Sequence, residues 1–292
     1  MATLLLQLVD EGKLTLDTPI SDFGIDLPGS ETATIAQLLG MTSGIFSYTE
    51  DETFVANYFA DPAMAFSPED ALAIAREHGP DFAPGEGIHY SDTGYIVAGQ
   101  IAEQVTGTSI EQQIHDRFLA PYSLRGTSFP TDPAMPDPHL DGYQPVEGSD
   151  EPMDVTASNP NAAWAAGAMI STLADMKTWL ELLTDGTLLS PELQKMRMQT
   201  IPMSPGKPLG YGLGIMELFG FYGHNGGIAG YSTFMLRDPK DGSTVITVAN
   251  LSDEHGGGAD SIAIQLLDYL LPDRFAMNVP GVGTPAASPV SS

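Results

Sequence analysis

The stretch YGLGIMELFGFYGHNGGIAGYSTFMLRDPKDGSTVITVA, residues 211–249, decides the fold class. Its apolar residues come in short β-branched or aromatic runs, Tyr211–Met216, Phe219–His224, Tyr231–Arg237 and Thr244–Ala249, separated by Gly, Pro and Asp. Short runs of this composition bounded by turn residues read as strands. Asp238-Pro239-Lys240-Asp241-Gly242 has the composition of a hairpin turn, and strands joined by turns this short pair antiparallel.

Outward from this stretch the period changes to that of helices. On its C-terminal side, Asp260–Leu271 reads as a last helix, and the Pro, Gly, Ala, Ser and Val of 276–292 as a disordered tail. On its N-terminal side, Thr172 caps a helix over Leu173–Leu183, with Leu173, Met176, Trp179, Leu180 and Leu183 at helical spacing, and Ser190-Pro191-Glu192 starts another. Pro121 to Asn161 has little periodicity and reads as a long irregular excursion. Further upstream, Ser109–Leu119 and Thr93–Val105 read as helices, the latter ended by Gly107. Ser67-Pro68-Glu69-Asp70 is a strong helix start that closes at Gly79, and Thr34 caps Ile35–Leu39. Residues 2–11 (ATLLLQLVDE) form an apolar helix stopped by Gly12. The expected architecture is α+β: an antiparallel sheet flanked by helices, with a mainly helical lobe, in one two-lobed domain over 1–275.

Composition narrows the function. The 292 residues hold 11 Lys+Arg against 38 Asp+Glu, a formal net charge of −27. So few bases leave nothing to neutralise a row of phosphates, so nucleic acid is not an expected partner, and an anionic membrane surface is disfavoured too. With 42% hydrophobic residues a substantial core is expected. No cysteine is present, which removes thiol nucleophiles and cysteine-ligated metals. No apolar run approaches the ~18 residues of a membrane span.

Three places carry candidate chemistry. Tyr90-Ser91-Asp92 directly precedes a helix, where Ser91 or Asp92 serves as cap; alternatively the helix dipole and nearby cations ease deprotonation of Tyr90. His224-Asn225-Gly226-Gly227 ends a predicted strand, and reads either as turn chemistry or as a place where a ligand approaches backbone N–H groups. The single S-x-x-K, Ser204-Pro205-Gly206-Lys207, is followed by Pro208, so the helical turn that brings lysine to serine does not form there. No G-x-S-x-G elbow occurs. The histidines show no metal-ligand spacing, and His255 among Asp253, Glu254 and three glycines reads as a solvated loop; calcium binding around Asp253–Asp260 is the alternative. No cofactor is implied.

Five stretches in order resemble the serine β-lactamase-related family, which includes class C β-lactamases, D-alanyl-D-alanine carboxypeptidases, D-aminopeptidases and family VIII esterases. They are LQLVDEGKLTLDTPI (6–20), TIAQLLGMTSGI (34–45), PDFAPGEGIHYSDTGYIVAGQIAEQVTG (80–107), GAMISTLADMKTWLELL (167–183) and YGHNGGIAGYST (222–233). The resemblance implies acyl transfer through a serine ester. The serine of an S-x-x-K helix attacks a carbonyl, the tyrosine of Y-x-N carries the proton, and a K-T-G or H-x-G strand closes the far side. Carried over, Tyr90 is the proton carrier and His224, Asn225 and Gly226 are the strand motif. Tyr90, Asp92 and His224 are placed in catalysis, Asn225 and Gly226 in substrate binding, and Gly227 supplies an oxyanion N–H.

Two departures shape the expected function. Asp92 stands where the family has asparagine; an ionised carboxylate accepts hydrogen bonds, holds ammonium groups and repels a substrate carboxylate. The family's S-x-x-K opens the helix that holds LQLVDEGKL, so by spacing its lysine falls two to three residues before Met1 and its serine one turn earlier. No nucleophile is therefore assigned within the chain, which is expected to be inactive or impaired as written, to lack N-terminal strands of the sheet, and to expose an apolar face. Neutral esters, amides or cationic peptides are the expected substrates, since histidine is mostly neutral at pH 7. The alternative is a non-catalytic protein binding a peptide or cell-wall fragment in the same cleft. Relatives imply a location outside the cytoplasm.

Overall fold

A computed structural model describes residues 1–146, 148–251 and 258–275. The expected tail 276–292 and the expected calcium-binding residues Asp253, Glu254 and His255 lie outside these. Helix α1 (Ala2–Asp10) is the centre of the helical half: Leu4, Leu5, Leu6 and Leu8 are all fully buried, as an all-round apolar helix requires. Each such side chain stabilises the fold by about 1.5–3 kcal/mol relative to exposure.

Around α1 lie α2 (Ile35–Leu39), α3 (Glu52–Ala60), α4 (Pro68–His78), α5 (Asp92–Thr106) and α6 (Ile110–Ile114), which contribute to one apolar cluster. The caps read from sequence are present. Thr34 and Gln37 form a reciprocal capping box, with Gln37 N donating to Thr34 Oγ1 at 3.3 Å and Thr34 N to Gln37 Oε1 at 3.0 Å. Thr34→Ala is expected to cost about 1 kcal/mol in urea denaturation; an unchanged midpoint would mean that the remaining bonds hold this turn without its cap.

The second half is a six-stranded antiparallel sheet in chain order: β3 (Ile201–Pro202), β4 (Leu209–Tyr211), β5 (Met216–Leu218), β6 (Phe221–Ile228), β7 (Tyr231–Arg237) and β8 (Thr244–Ala249). A two-stranded pair, β1 (Tyr143–Gln144) and β2 (Met153–Asp154), lies in the irregular excursion. Helices α7 (Leu173–Thr184) and α8 (Pro191–Arg197) precede the sheet; α9 (Gly258–Leu270) and α10 (Pro272–Phe275) follow it. Phe221, Phe234 and Leu236 pack with Ala263, Leu267 and Phe275. The outer side of α9 carries exposed Ile262, Leu266, Tyr269 and Leu270.

Several expected boundaries move. Tyr211–Met216 is not one strand: it runs from the last residue of β4 through a turn to the first residue of β5; Gly214 in that turn has φ +71° and donates its N–H to Leu39 O at 3.0 Å. Phe219 and Gly220 both have positive φ, so the next strand begins at Phe221 rather than Phe219. It also runs on through the two glycines to Ile228, because the register Ile228↔Tyr231 leaves only Ala229 and Gly230 for the hairpin. The helix expected over Ser109–Leu119 widens to a π turn from His115. Leu173, expected on the apolar stripe of α7, is 52% exposed. Helix α3, capped by Asp51 through a 2.7 Å bond from Phe54 N, was not anticipated.

Candidate active site

Two elements bring the candidate residues together. The first is the N-terminus of α5. Ser91, rather than Asp92, is its cap: the Ser91 Oγ accepts from Gly94 N at 3.2 Å, and Asp92 is the first helical residue. Tyr90 therefore stands at the mouth of a helix whose Ile96, Val97, Ala98, Ile101 and Ala102 are buried. The segment before it is tied down by backbone bonds from Asp81 N to Gly44 O, Gly85 N to Thr42 O and His89 N to Met41 O, at 2.8–2.9 Å. His89 bridges two acids, Asp81 at 2.7 Å through Nδ1 and Glu50 at 2.9 Å through Nε2. Burial lowers its pKa, but the two acids outweigh burial and raise it above the ordinary value.

The second element is β6. Strand β5 pairs with it only as far as Met216↔Gly223, whereas β7 follows it to the hairpin. In a two-residue hairpin the flanking residues form a hydrogen-bonded pair and alternate residues point the other way. With Ile228↔Tyr231 as that pair, the N–H groups of Asn225 and Gly227 face the side left free beyond the end of β5. Gly226 and Gly227 are exposed. A peptide-like group has there an open strand edge with no side chain in its way.

Tyr90 and His224 meet with ring centroids 6.0 Å apart, and Tyr211 at the end of β4 joins them, 6.1 Å from Tyr90 and 5.7 Å from His224. The His224 ring is bonded at both nitrogens: Nδ1 to Asn225 O at 2.7 Å and Nε2 to the Tyr211 hydroxyl at 2.9 Å. Burial lowers its pKa, so the imidazole is neutral at pH 7. Asn225 Nδ2 donates to Asp260 Oδ2 at 2.9 Å, and the buried Asp260 Oδ1 has no partner.

The structure separates what the sequence had grouped. Asp92 lies beside Tyr90 in the chain, but its carboxylate turns to Thr49, whose Oγ1 donates to it at 2.8 Å, while Ser47 Oγ accepts the Asp92 N–H at 3.0 Å. Burial pushes the Asp92 carboxyl up to about 6, the Thr49 bond opposes this and the Glu50 charge adds to it. Deprotonation of Tyr90 is disfavoured: burial first, then the charges of Asp92 and Tyr95, raise its pKa well above the ordinary value. All five lysines are exposed, Lys207 of the S-x-x-K included. Among the described residues no group of three or more His, Asp or Glu is arranged to hold a metal, and no helix is long and apolar enough to cross a membrane.

Tyr211, Tyr95, Thr49 and Asp260 belong to the site's surroundings but were not found in the sequence. Asp260 had been grouped with the acidic loop before it. Tyr211 and Tyr95 had no local signal, because an aromatic residue in a strand or helix reads as core.

Comparison with known proteins is consistent with this geometry. A family model described as Beta-lactamase matches residues 1–268. Penicillin-binding protein 4 of Amycolatopsis lactamdurans is 30% identical over 99% of this chain and 78% of its own length. A putative penicillin-binding protein, PbpX, of Bacillus subtilis is 29% identical over 84% of this chain, which spans 58% of that relative. Among solved structures, a D-stereospecific amidohydrolase from Streptomyces superposes with TM-score 0.84 at 33% identity, covering 92% of this chain and 83% of its own. The D-amino acid amidase of Ochrobactrum anthropi, complexed with L-phenylalanine amide, gives TM-score 0.78 at 27% identity, covering 94% and 81%.

Proposed function

Since the chain belongs to the β-lactamase family of serine hydrolases, we propose that its cleft serves acyl transfer on neutral or ammonium-bearing amides, esters or short peptides. The observation that carries this is the meeting of Tyr90 with His224 beside the free edge of β6. In this reading an extended acyl group lies along β6, making backbone bonds at Asn225, while Gly226, whose backbone faces β7, leaves it room. The Gly227 N–H, aimed to the free side, stabilises charge developing on the carbonyl oxygen. Tyr90, kept protonated by burial, holds and passes the proton of the attacking and leaving groups. No serine–lysine pair stands at Tyr90 among the described residues, and the proposal assigns the nucleophile to none of them.

Charge supports the substrate class. His224 is neutral, and Asp92 and Asp260 are carboxylates that no arginine or lysine pairs with among the described residues. A substrate carboxylate meets no cation there, whereas Asp260, bonded to Asn225 of β6, favours an ammonium group. The amino acid amide named with the Ochrobactrum enzyme has this chemistry.

Two measurements test the reading. The first is intact mass after treatment with a fluorophosphonate, with circular dichroism confirming the fold. An unlabelled folded chain is expected; an adduct would place a competent serine within these residues and identify it. The second is calorimetric binding of D-amino acid amides against a carboxylate-bearing cephalosporin, where the amides are expected to bind at least tenfold more tightly. Tighter binding of the cephalosporin would overturn the substrate class.

A further inference from the structure

The hydrogen bonds around His224 fix where its proton sits. A carbonyl oxygen only accepts, so the 2.7 Å contact with Asn225 O places a hydrogen on Nδ1. In a neutral ring Nε2 then carries the lone pair, and at 2.9 Å the Tyr211 hydroxyl must donate to it. The neutral imidazole is thus satisfied at both nitrogens from within the protein.

Protonation changes one bond only. An imidazolium carries hydrogen on both nitrogens, so Nε2 becomes a donor, and the Tyr211 hydroxyl cannot go on donating to it. A second acceptor lies beside it: the hydroxyl of Tyr95 in α5 neighbours that of Tyr211 and donates its own hydrogen to Leu39 O at 3.4 Å. We infer that Tyr211 is a positioning residue for His224 with two settings, donating to Nε2 while the ring is neutral and turning to the Tyr95 oxygen to accept the Nε2 hydrogen when the ring is protonated. The proton comes from solvent, and every donor finds an acceptor in both settings once the Tyr211 and Tyr95 hydroxyls close on each other.

The groups facing His224 set the balance between the two settings. Tyr90 and Tyr211 are uncharged, and Asp260 of α9 favours the cation. Against this stands burial. The neutral setting holds at pH 7. On falling pH the cleft gains a cation without leaving a buried polar atom unpaired, and so changes from refusing a substrate carboxylate to accepting one. That last consequence rests on the substrate reading above; the hydrogen-bond settings do not.

The test is long-range proton–nitrogen NMR of protein labelled with ¹⁵N-histidine, titrated in pH, with the His224 signals assigned by their loss in His224→Gln. In the unmodified chain the neutral ring is expected to carry hydrogen on Nδ1 and a hydrogen-bonded lone pair on Nε2. Tyr211→Phe is expected to shift the Nε2 resonance to that of an unbonded nitrogen and to lower the titration midpoint, since the imidazolium then has no acceptor. Tyr95→Phe is expected to lower the midpoint as well, but to leave the neutral Nε2 resonance in place. A hydrogen on Nε2 in the neutral ring, an Nε2 resonance unmoved by Tyr211→Phe, or a midpoint raised by either variant overturns the inference. None of these readouts needs catalysis, so failure of the hydrolase reading is recognised separately, in the labelling and binding experiments.

Discussion

Asp92→Asn stabilises the folded protein at neutral pH by about 3 kcal/mol and has no such effect near pH 3.5. The carboxyl of Asp92 is raised from 3.8 to about 6 by burial, against the pull of the Thr49 hydroxyl and with a contribution from Glu50. At about 1.4 kcal/mol per pH unit, that displacement measures how much less welcome the carboxylate is in the fold than in the unfolded chain. The sign follows from linkage. A group whose folded pKa lies above its unfolded one favours the fold fully below pH 3.8, loses that advantage as pH rises, and disfavours the fold by a constant amount above about 6. The asparagine still accepts from Thr49 Oγ1 and has Glu50 nearby for its amide hydrogens, so the shape of the turn is kept. Urea denaturation of both proteins at pH 3.5 and 7.5 gives the difference directly. Equal differences at the two pH values, or a less stable variant at pH 7.5, would sink the idea that the carboxylate carries this cost.

Arg197→Met is the second large effect, a gain of about 1–4 kcal/mol. Arg197 ends α8 with no exposed surface. Its Nη2 donates to Thr3 Oγ1 at 2.7 Å, and its Nε and Nη1 have no partner. Among the described residues no carboxylate reaches it, and burial lowers its pKa to about 10, so it remains a cation at pH 7. A buried charge without a counter-ion is not repaid by Coulomb attraction, whereas methionine fills a similar volume with apolar contacts. Thr3 loses its donor, which returns about 1 kcal/mol of the gain. Arg197→Ala separates charge from packing: it removes the cation but leaves a cavity and is expected to fall below the methionine variant. A methionine variant less stable than the parent would show that Nε and Nη1 find acceptors in solution.

Much of the fold was legible because its signals are local. Thr34, Ser67, Ser91, Thr172 and Ser190 each cap the helix that follows, since a hydroxyl satisfies free N–H groups two or three residues away whatever surrounds it. Strands β7 and β8 and the turn between them came out as read because alternating side chains and a Pro-Asp-Gly turn specify a hairpin without outside help. Helix α3 was missed because its apolar residues are spread around it, with only Phe54 and Tyr58 buried. Strand β6 was cut short at His224 because two glycines look like a turn. What holds Gly226 and Gly227 in the strand is β7, through Thr233 and Ser232, and a partner strand is not a property of the glycines.

The candidate site divides along the same line. Tyr90, His224 and Gly227 stood out in the sequence because each occupies a position of unusual local chemistry: a phenol at a helix mouth, an imidazole in a strand, an exposed backbone N–H. That Tyr90 and His224 face each other, and that β5 ends where the free edge begins, came from the tertiary arrangement that sets the mouth of α5 against Tyr211 and His224 of the sheet. Residue type and near neighbours determined which groups could do chemistry, because caps, turns and alternation act over a few residues. Tertiary structure alone decided their protonation: burial of Tyr90, Asp92 and His224 moves each proton equilibrium, and burial depends on segments more than a hundred residues apart in the chain.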